Sequence, residues 1–221
     1  MIVTIDGPVA SGKSSVAKAL AERFGFNQLN TGLLYRAVAY LRGRDASSQL
    51  SDIIAGLRYT FDDHKPLIYW REELLSQELL YTPSIDQGAS LLSADPAVRQ
   101  ALLPVQRALA AGHNVIADGR DCGSVVFPSA DVKIFLTASV LVRAQRLMHA
   151  ADRQYEGMTL EAIMEQVRVR DERDKTRAIA PLIVPPTAVV IDSSDLNFEQ
   201  TVAACAALIK RANLATSSLV G

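Results

Sequence analysis

Ile2-Val3-Thr4-Ile5-Asp6-Gly7-Pro8-Val9-Ala10-Ser11-Gly12-Lys13-Ser14 opens the chain, and this stretch decides how the rest is read. Its first half is an apolar, β-branched run of the kind that forms a buried strand. Its second half fits G-x-x-x-x-G-K-[ST], the phosphate-binding P-loop. A glycine-rich turn bares several backbone N–H groups toward one point, and a following helix directs the positive end of its dipole at the same point. Lys13 adds a mobile cation for β- and γ-phosphates, and Ser14 adds a hydroxyl ligand for Mg²⁺. The apolar positions Val16, Ala17, Leu20, Ala21 and Phe24 recur at helical spacing directly afterwards, so strand, loop and helix agree.

Composition narrows the class. The 221 residues are 49% hydrophobic, enough for one globular core with small appended modules. Lys and Arg number 23 against 24 Asp and Glu, a net charge of −1, so there is no general basic field for nucleic acid. Clustered arginines therefore read as sites. Cys122 and Cys205 form no Cys-x-x-Cys pair, and His64, His113 and His149 are scattered, which argues against structural zinc or a disulfide framework. Both cysteines read as small buried hydrophobes. No signal peptide, transmembrane run or lipidation box is present, so the expectation is a cytoplasmic protein with no membrane association.

Strand and helix patterns alternate. Strands are expected at 2–6, 27–29, 115–117 and 132–136, and a last buried strand at 189–191. Helices are expected at about 13–24, 31–42 with Thr31 as N-cap, 84–93, 95–111, 139–151, 158–175 and 197–212. Short, uniformly apolar strands between helices predict an α/β protein, a parallel sheet with helices on both faces. Residues about 56–82, which hold the only Trp, break the rhythm and read as a hairpin-rich insert. The C-terminal segment from Ala215 reads as a frayed tail.

Three further constellations carry chemistry. Arg36 lies one helical turn past Gly32, near the crevice at the strand ends, and is either a solvated helix residue or a bidentate phosphate grip. Asp118 ends the strand 115–117 as a Walker-B-like acid for Mg²⁺ or its waters, followed by Gly119, Arg120 and Asp121. The run 168–177 is by default a solvated, ion-paired helix face. Within it Arg170, Arg173, Asp174 and Arg177 share one side, an excess of positive charge that favours an anion, and the prolines at 181, 185 and 186 are expected to end the helix.

Together these pieces resemble the bacterial cytidylate (CMP) kinase family within the P-loop nucleoside monophosphate kinases. The matching blocks are Ile5-Asp6-Gly7-Pro8 with Ser11-Gly12-Lys13, Thr31-Gly32 with Tyr35-Arg36-Ala37-Val38, Asp118-Gly119-Arg120-Asp121 with Gly123, and Arg170-Asp171 with Arg173-Asp174 and Arg177-Ala178. The similarity runs in order from residue 1 to about 205. It implies a single P-loop kinase domain of three-layer architecture over 1–221, an NMP-binding insert at about 56–82 and a short lid at about 152–157.

It also implies roles. Gly7, Pro8, Val9, Ala10, Ser11, Gly12, Lys13, Ser14 and Ser15 would bind ATP, with Mg²⁺ held by Ser14 and, partly through water, by Asp118. Thr31 would contact CMP, and Ser90, Arg99 and Asp121 would read the cytosine edge. Arg36 and Arg120 would hold the acceptor phosphate, and Asp174 and Arg177 the ribose and phosphate region. Lys13, Arg120, Arg170, Arg173 and Arg177 would be the catalytic cations, transferring the ATP γ-phosphoryl group to CMP or dCMP. No exposed apolar helix stands out in the sequence, so a monomer is expected. The chain departs from the family pattern at Asn30 (Asp in the family), Leu34 (Met), Leu147 after Arg146 (Arg-Arg) and Leu80-Tyr81-Thr82 (Ile-Arg-Thr), the last removing a basic contact. The alternatives are a P-loop kinase for UMP or another small acceptor, and an inactive ATP-binding regulator.

Overall fold

The computed structural model describes residues 1–149, 155 and 157–217, with side chains to 214. Of the expected lid at 152–157, only Tyr155 and Gly157 fall among them, and the rest lies outside the described residues. Five strands form one sheet: β1 (Ile2–Asp6), β2 (Asn27–Asn30), β6 (Val115–Gly119), β7 (Val132–Thr137) and β8 (Val189–Asp192). Their order is β2-β6-β1-β7-β8, and every pairing is parallel. The chain leaves β1 toward one side to make β2 and later builds β7 on the other. A crevice therefore opens between the carboxyl ends of β1 and β6, the usual place for a ligand in such a sheet.

Alternating side chains send the sheet into two cores. Val3, Ile5, Ile116, Ile134 and Leu136 face α1 (Lys13–Phe24) and α9 (Phe198–Ser217), where Val16, Leu20, Cys205 and Ile209 cover them. Leu29, Val115 and Ala117 face α2 (Thr31–Arg44) and α6 (Pro96–Ala110), against Leu34, Val38, Val98 and Leu102. Each large aliphatic side chain buried in this way is worth about 2–3 kcal/mol. The helices end by recognisable means. Gly25 closes α1 in the left-handed region, and Asp95 caps α6 by accepting from the N–H groups of Ala97 and Val98.

The stretch that breaks the alternation forms a second, three-stranded antiparallel sheet of β3 (Leu57–Asp62), β4 (Lys65–Trp70) and β5 (Glu73–Leu74). Asp63 and His64 both have positive φ and make the tight turn between β3 and β4. This small sheet docks on the free edge of β2: the Gln28 N–H donates to the His64 carbonyl at 2.9 Å, and the Asn30 N–H to the Tyr59 hydroxyl at 2.9 Å. Two short helices, α3 (Leu50–Gly56) and α4 (Gln77–Leu80), flank it, and α5 (Pro83–Leu92) follows. Neither short helix has a periodicity long enough to be expected from sequence.

Several expectations need correction. The last strand is not buried: among the described residues β8 is an edge paired only with β7, and Val189 and Val190 are 45% and 52% exposed. Asn30, not Thr31, is the N-cap of α2. Thr31 instead turns its hydroxyl inward and donates to the Asp118 carbonyl at 2.9 Å. The late helix, α8 (Leu160–Thr176), stops before any proline acts. Arg177 adopts an extended ψ of 138°, because Leu182 N–H donates to the Asp174 carbonyl and Arg177 Nε to the Ala180 carbonyl, reversing the chain.

Candidate active site

The loop after β1 is shaped by three residues with positive φ, Gly7 (152°), Ala10 (58°) and Gly12 (92°). A Cβ on Gly7 would run into the carbonyl oxygen of Leu136 on β7, so only glycine lets the loop lie this close to the sheet. Gly12 in the left-handed region then starts α1 at Lys13. Lys13 is buried, and its Nζ donates to the Pro8 carbonyl at 2.5 Å and to Ser11 Oγ at 3.3 Å. Burial, followed by the repulsion of Arg120, holds this ammonium well below the ordinary lysine range, and Asp118 and Asp174 oppose the shift.

Strand β6 delivers Asp118 beside this loop. Its Oδ2 accepts from Ser14 Oγ at 2.6 Å and its Oδ1 from Gln28 Nε2 at 3.0 Å, so α1, β2 and β6 each place one group at the same spot. Burial raises the Asp118 pKa above the usual carboxylate value, opposed by those hydrogen bonds and by Lys13. The backbone past Asp118 is gripped from beneath. Asp6, fully buried at the end of β1, accepts from the N–H groups of Cys122 and Gly123, both at 2.7 Å. That grip begins a π-helical turn over Cys122–Val126 and points Arg120 and Asp121 up into the crevice.

The facing wall is a lattice of guanidinium and carboxylate groups. Arg99 of α6 and Arg177 both bond Asp121, the latter at 3.3 Å. Arg177 also donates to Ser93 Oγ at 3.1 Å, and Arg120 pairs with Asp174 of α8 at 2.7 Å. Arg36 and Arg170 share a carboxylate from α5, that of Asp86. Behind the lattice, Arg143 of α7 (Val140–Met148) locks α8 to the phosphate-binding loop. It bonds both oxygens of Asp171, at 2.9 and 2.6 Å, and donates to the Val9 carbonyl at 3.2 Å.

All of this surrounds one cleft of about 340 Å³. The P-loop lies along one side and the arginine lattice along the other, which is the layout for joining two phosphorylated ligands end to end.

The profile described as "Cytidylate kinase" matches residues 3–211. A cytidylate kinase of Pseudomonas fluorescens is 41% identical over 208 residues, covering 90% of both chains. Another, from Methylococcus capsulatus, is 40% identical over 216 residues, 95% of this chain and 96% of that one. This chain belongs to the cytidylate kinase family. Among solved structures, an uncharacterized protein from Eubacterium ventriosum shares the fold at 14% identity, with a TM-score of 0.50 over 96% of this chain and 98% of that chain.

In this cytidylate kinase family member the cleft is lined by most of the residues singled out from sequence. Val9, Ala10, Gly12, Lys13, Ser14 and Ser15 line it on the loop side. Thr31, Arg36, Ser90, Arg99, Asp118, Arg120, Asp121, Arg170, Asp174 and Arg177 complete it. Gly7, Pro8 and Ser11 stand behind the wall, where they shape the loop and hold Lys13. Arg173 is not part of the lining, and its guanidinium reaches Ser90 Oγ at 3.3 Å.

The cleft carries the surplus of positive charge that the sequence suggested. Six cations line the cleft against four carboxylates, and Arg170 is already matched by Asp86. Sequence reasoning missed Asp86, Ser93, Gln28 and the structural grip of Asp6. Tyr81, where the family pattern carries Arg, places its ring 4.4 Å beneath the Arg36 guanidinium. A stacking surface thus replaces the missing charge.

Proposed function

We propose that this chain transfers the γ-phosphoryl group of ATP to CMP or dCMP, releasing ADP and CDP or dCDP. The observation that carries the reading is the single cleft in which Lys13 and the loop amides lie opposite Asp121, Arg99 and Arg177. The loop binds the triphosphate, with Lys13 drawn from the Pro8 carbonyl toward the β- and γ-oxygens. Arg36 and Arg120 hold the acceptor phosphate, and Asp174 and Arg177 hold the ribose and phosphate region. Ser90, Arg99 and Asp121 meet the cytosine edge. A carboxylate there accepts from the exocyclic amine that uracil lacks, and a guanidinium donates to O2 and N3.

The chemistry needs no strong base, because the attacking oxygen belongs to an ionised phosphate. That oxygen forms a bond to the γ-phosphorus while the bond to the β,γ-bridging oxygen breaks, and the electron pair leaves with ADP. The protein aligns the two ends and neutralises charge on the group in flight, through Lys13, Arg120, Arg170 and Arg177. Ser14 and Asp118 form a hard oxygen pair that suits Mg²⁺, the hydroxyl as a ligand and the carboxylate through water. Among the described residues no group of three His, Cys, Asp or Glu could hold a metal by itself, so phosphate oxygens and water would complete the shell. Bound there, the ion would withdraw charge from the β- and γ-phosphates.

The test is ADP release coupled to a reporter, with CMP, dCMP, UMP and AMP offered in turn. CMP or dCMP should be used with kcat/KM at least about tenfold above UMP and AMP, the scale set by one well-placed polar contact. Equal use of UMP, or turnover of none of the four, would overturn the reading.

A further inference from the structure

Asp86 lines the cleft, yet it belongs neither to the phosphate-binding loop nor to the groups that meet the base and the ribose. It sits in the first turn of α5, yet its side chain reaches across the cleft to two other elements. One oxygen pairs with Arg36 of α2, and the other with Arg170 of α8, whose second terminal nitrogen lies 3.4 Å from the first oxygen. The carboxylate is largely buried, with 13% of the side chain exposed, so water screens these pairs only in part. Burial pushes its pKa up, but Arg170 and Arg36 together bring it below the usual carboxylate range, so it is an anion at neutral pH.

Two guanidinium groups on one carboxylate leave one positive charge unmatched. Arg170 Nε is moreover buried with no hydrogen-bond partner among the described residues. Arg36 is already aimed at this point, held by the Leu80 carbonyl at 3.0 Å and by the Tyr81 ring. Such a seat prefers an acceptor with more oxygens and more charge than a carboxylate, and a phosphate dianion has both. Arg36, Asp86 and Arg170 line the same cleft as Lys13 of the phosphate-binding loop.

We propose that Asp86 is an internal anion that competes with the acceptor nucleotide's phosphate for Arg36 and Arg170, and so sets how strongly the cleft captures phosphorylated ligands. The inference rests on the reading of Arg36 as an acceptor-phosphate group. A dianion entering beside an unmoved Asp86 meets like-charge repulsion in a poorly screened site, so binding is an exchange: the carboxylate swings out as the phosphate takes over both guanidinium groups. Singly charged anions gain little by that exchange and are turned away.

The experiment uses Asp86→Asn, which keeps the shape and removes the charge, and Asp86→Ser should the first variant fail to fold. Inorganic phosphate is titrated calorimetrically into the parent and the variant, and the KM for CMP is measured at saturating ATP. Removing the competitor should tighten phosphate binding and lower the KM for CMP, each by about five- to tenfold. Structural damage would move both the other way. Unchanged or weaker phosphate binding in a folded variant would overturn the proposal. The titration needs no turnover, so it still decides the role of Asp86 if CMP proves not to be the acceptor.

Discussion

Arg177 lies just beyond the end of α8, and its position there separates catalysis from stability. Its guanidinium is 3% exposed and divides its donors among Asp121, Ser93 and Ala180. Asp121 keeps Arg99 when Arg177 is removed, so no carboxylate is left unpaired. Arg177→Ala should therefore lower kcat by about 10³-fold while costing about 1–3 kcal/mol of stability. Steady-state kinetics beside urea unfolding checks both, and an unchanged kcat would remove Arg177 from the mechanism. Asp6 is the opposite case, structural and titratable. Burial, with a smaller contribution from Asp121, pushes its pKa up from 3.8 to about 6 against the two N–H bonds it accepts. The folded chain then binds this proton more tightly than the unfolded chain. Its contribution to stability is greatest below pH 4 and is lost as pH rises through about 6. Asp6→Asn removes that titration. The stability difference between variant and parent should shift toward the variant by about 2–3 kcal/mol between pH 4 and 7. Thermal unfolding across that range measures it, and a flat difference would refute the shift. The glycines, Lys13 and Asp118 were readable because their chemistry needs those residue types at that spacing. Asp86 was not, because an acid in the first turn of a helix is ordinary and its partners lie 50 and 84 residues away.

Helix α8 is the element on which the cleft depends. Its mean character is polar, and its outward side is the solvated, ion-paired face expected of a charge run, as with Arg168 and Glu165 at 3.4 Å. Its inward side is held through Arg143, whose bidentate pair with Asp171 is buried and whose remaining donors reach the carbonyls of Ala138 and Val9. This side chain, with the apolar contacts of Ile163 and Val167 against Ala144 and Val9, ties α8 to the phosphate-binding loop. Arg143→Ala leaves Asp171 buried and unpaired and should cost about 3–5 kcal/mol. Arg143→Lys should recover only part of this, since an ammonium cannot match both carboxylate oxygens. Chemical denaturation of the two variants tests the order, and equal stability of both with the parent would show the pair to be dispensable. The element boundaries differ from sequence expectation where tertiary bonds intervene. Leu182 and Ala180, not a proline, close the end of α8, and Asp6 draws residues 122–126 into a π-helical turn that no local pattern announces.

The whole molecule is a parallel sheet that divides two apolar cores and carries its chemistry on one rim. The hairpin sheet covers the edge of β2, and α9 and α1 cover the face away from the hairpin. The opposite edge, β8, stays open among the described residues, with Val189 and Val190 exposed. Its apolar run looked buried from sequence because composition reports the solubility of a strand, whereas its place in the sheet decides how many neighbours it has. No helix among the described residues is long and apolar enough to cross a membrane. The layered α/β architecture and the loop at residues 7–14 were legible because periodicity and loop chemistry are local.

Local interactions act over a few residues, and the order of residues states them outright: a strand that must turn on glycine, a helix that must follow, an acid at the end of a later strand. Which charges neutralise one another is a matter of distance in space. Asp86 between Arg36 and Arg170, Arg143 on Asp171 and Asp6 beneath Cys122 exist only because the packed sheet and helices bring remote segments within hydrogen-bonding reach. The balance of charge in the cleft, and with it the affinity for phosphate, is a property of that packing.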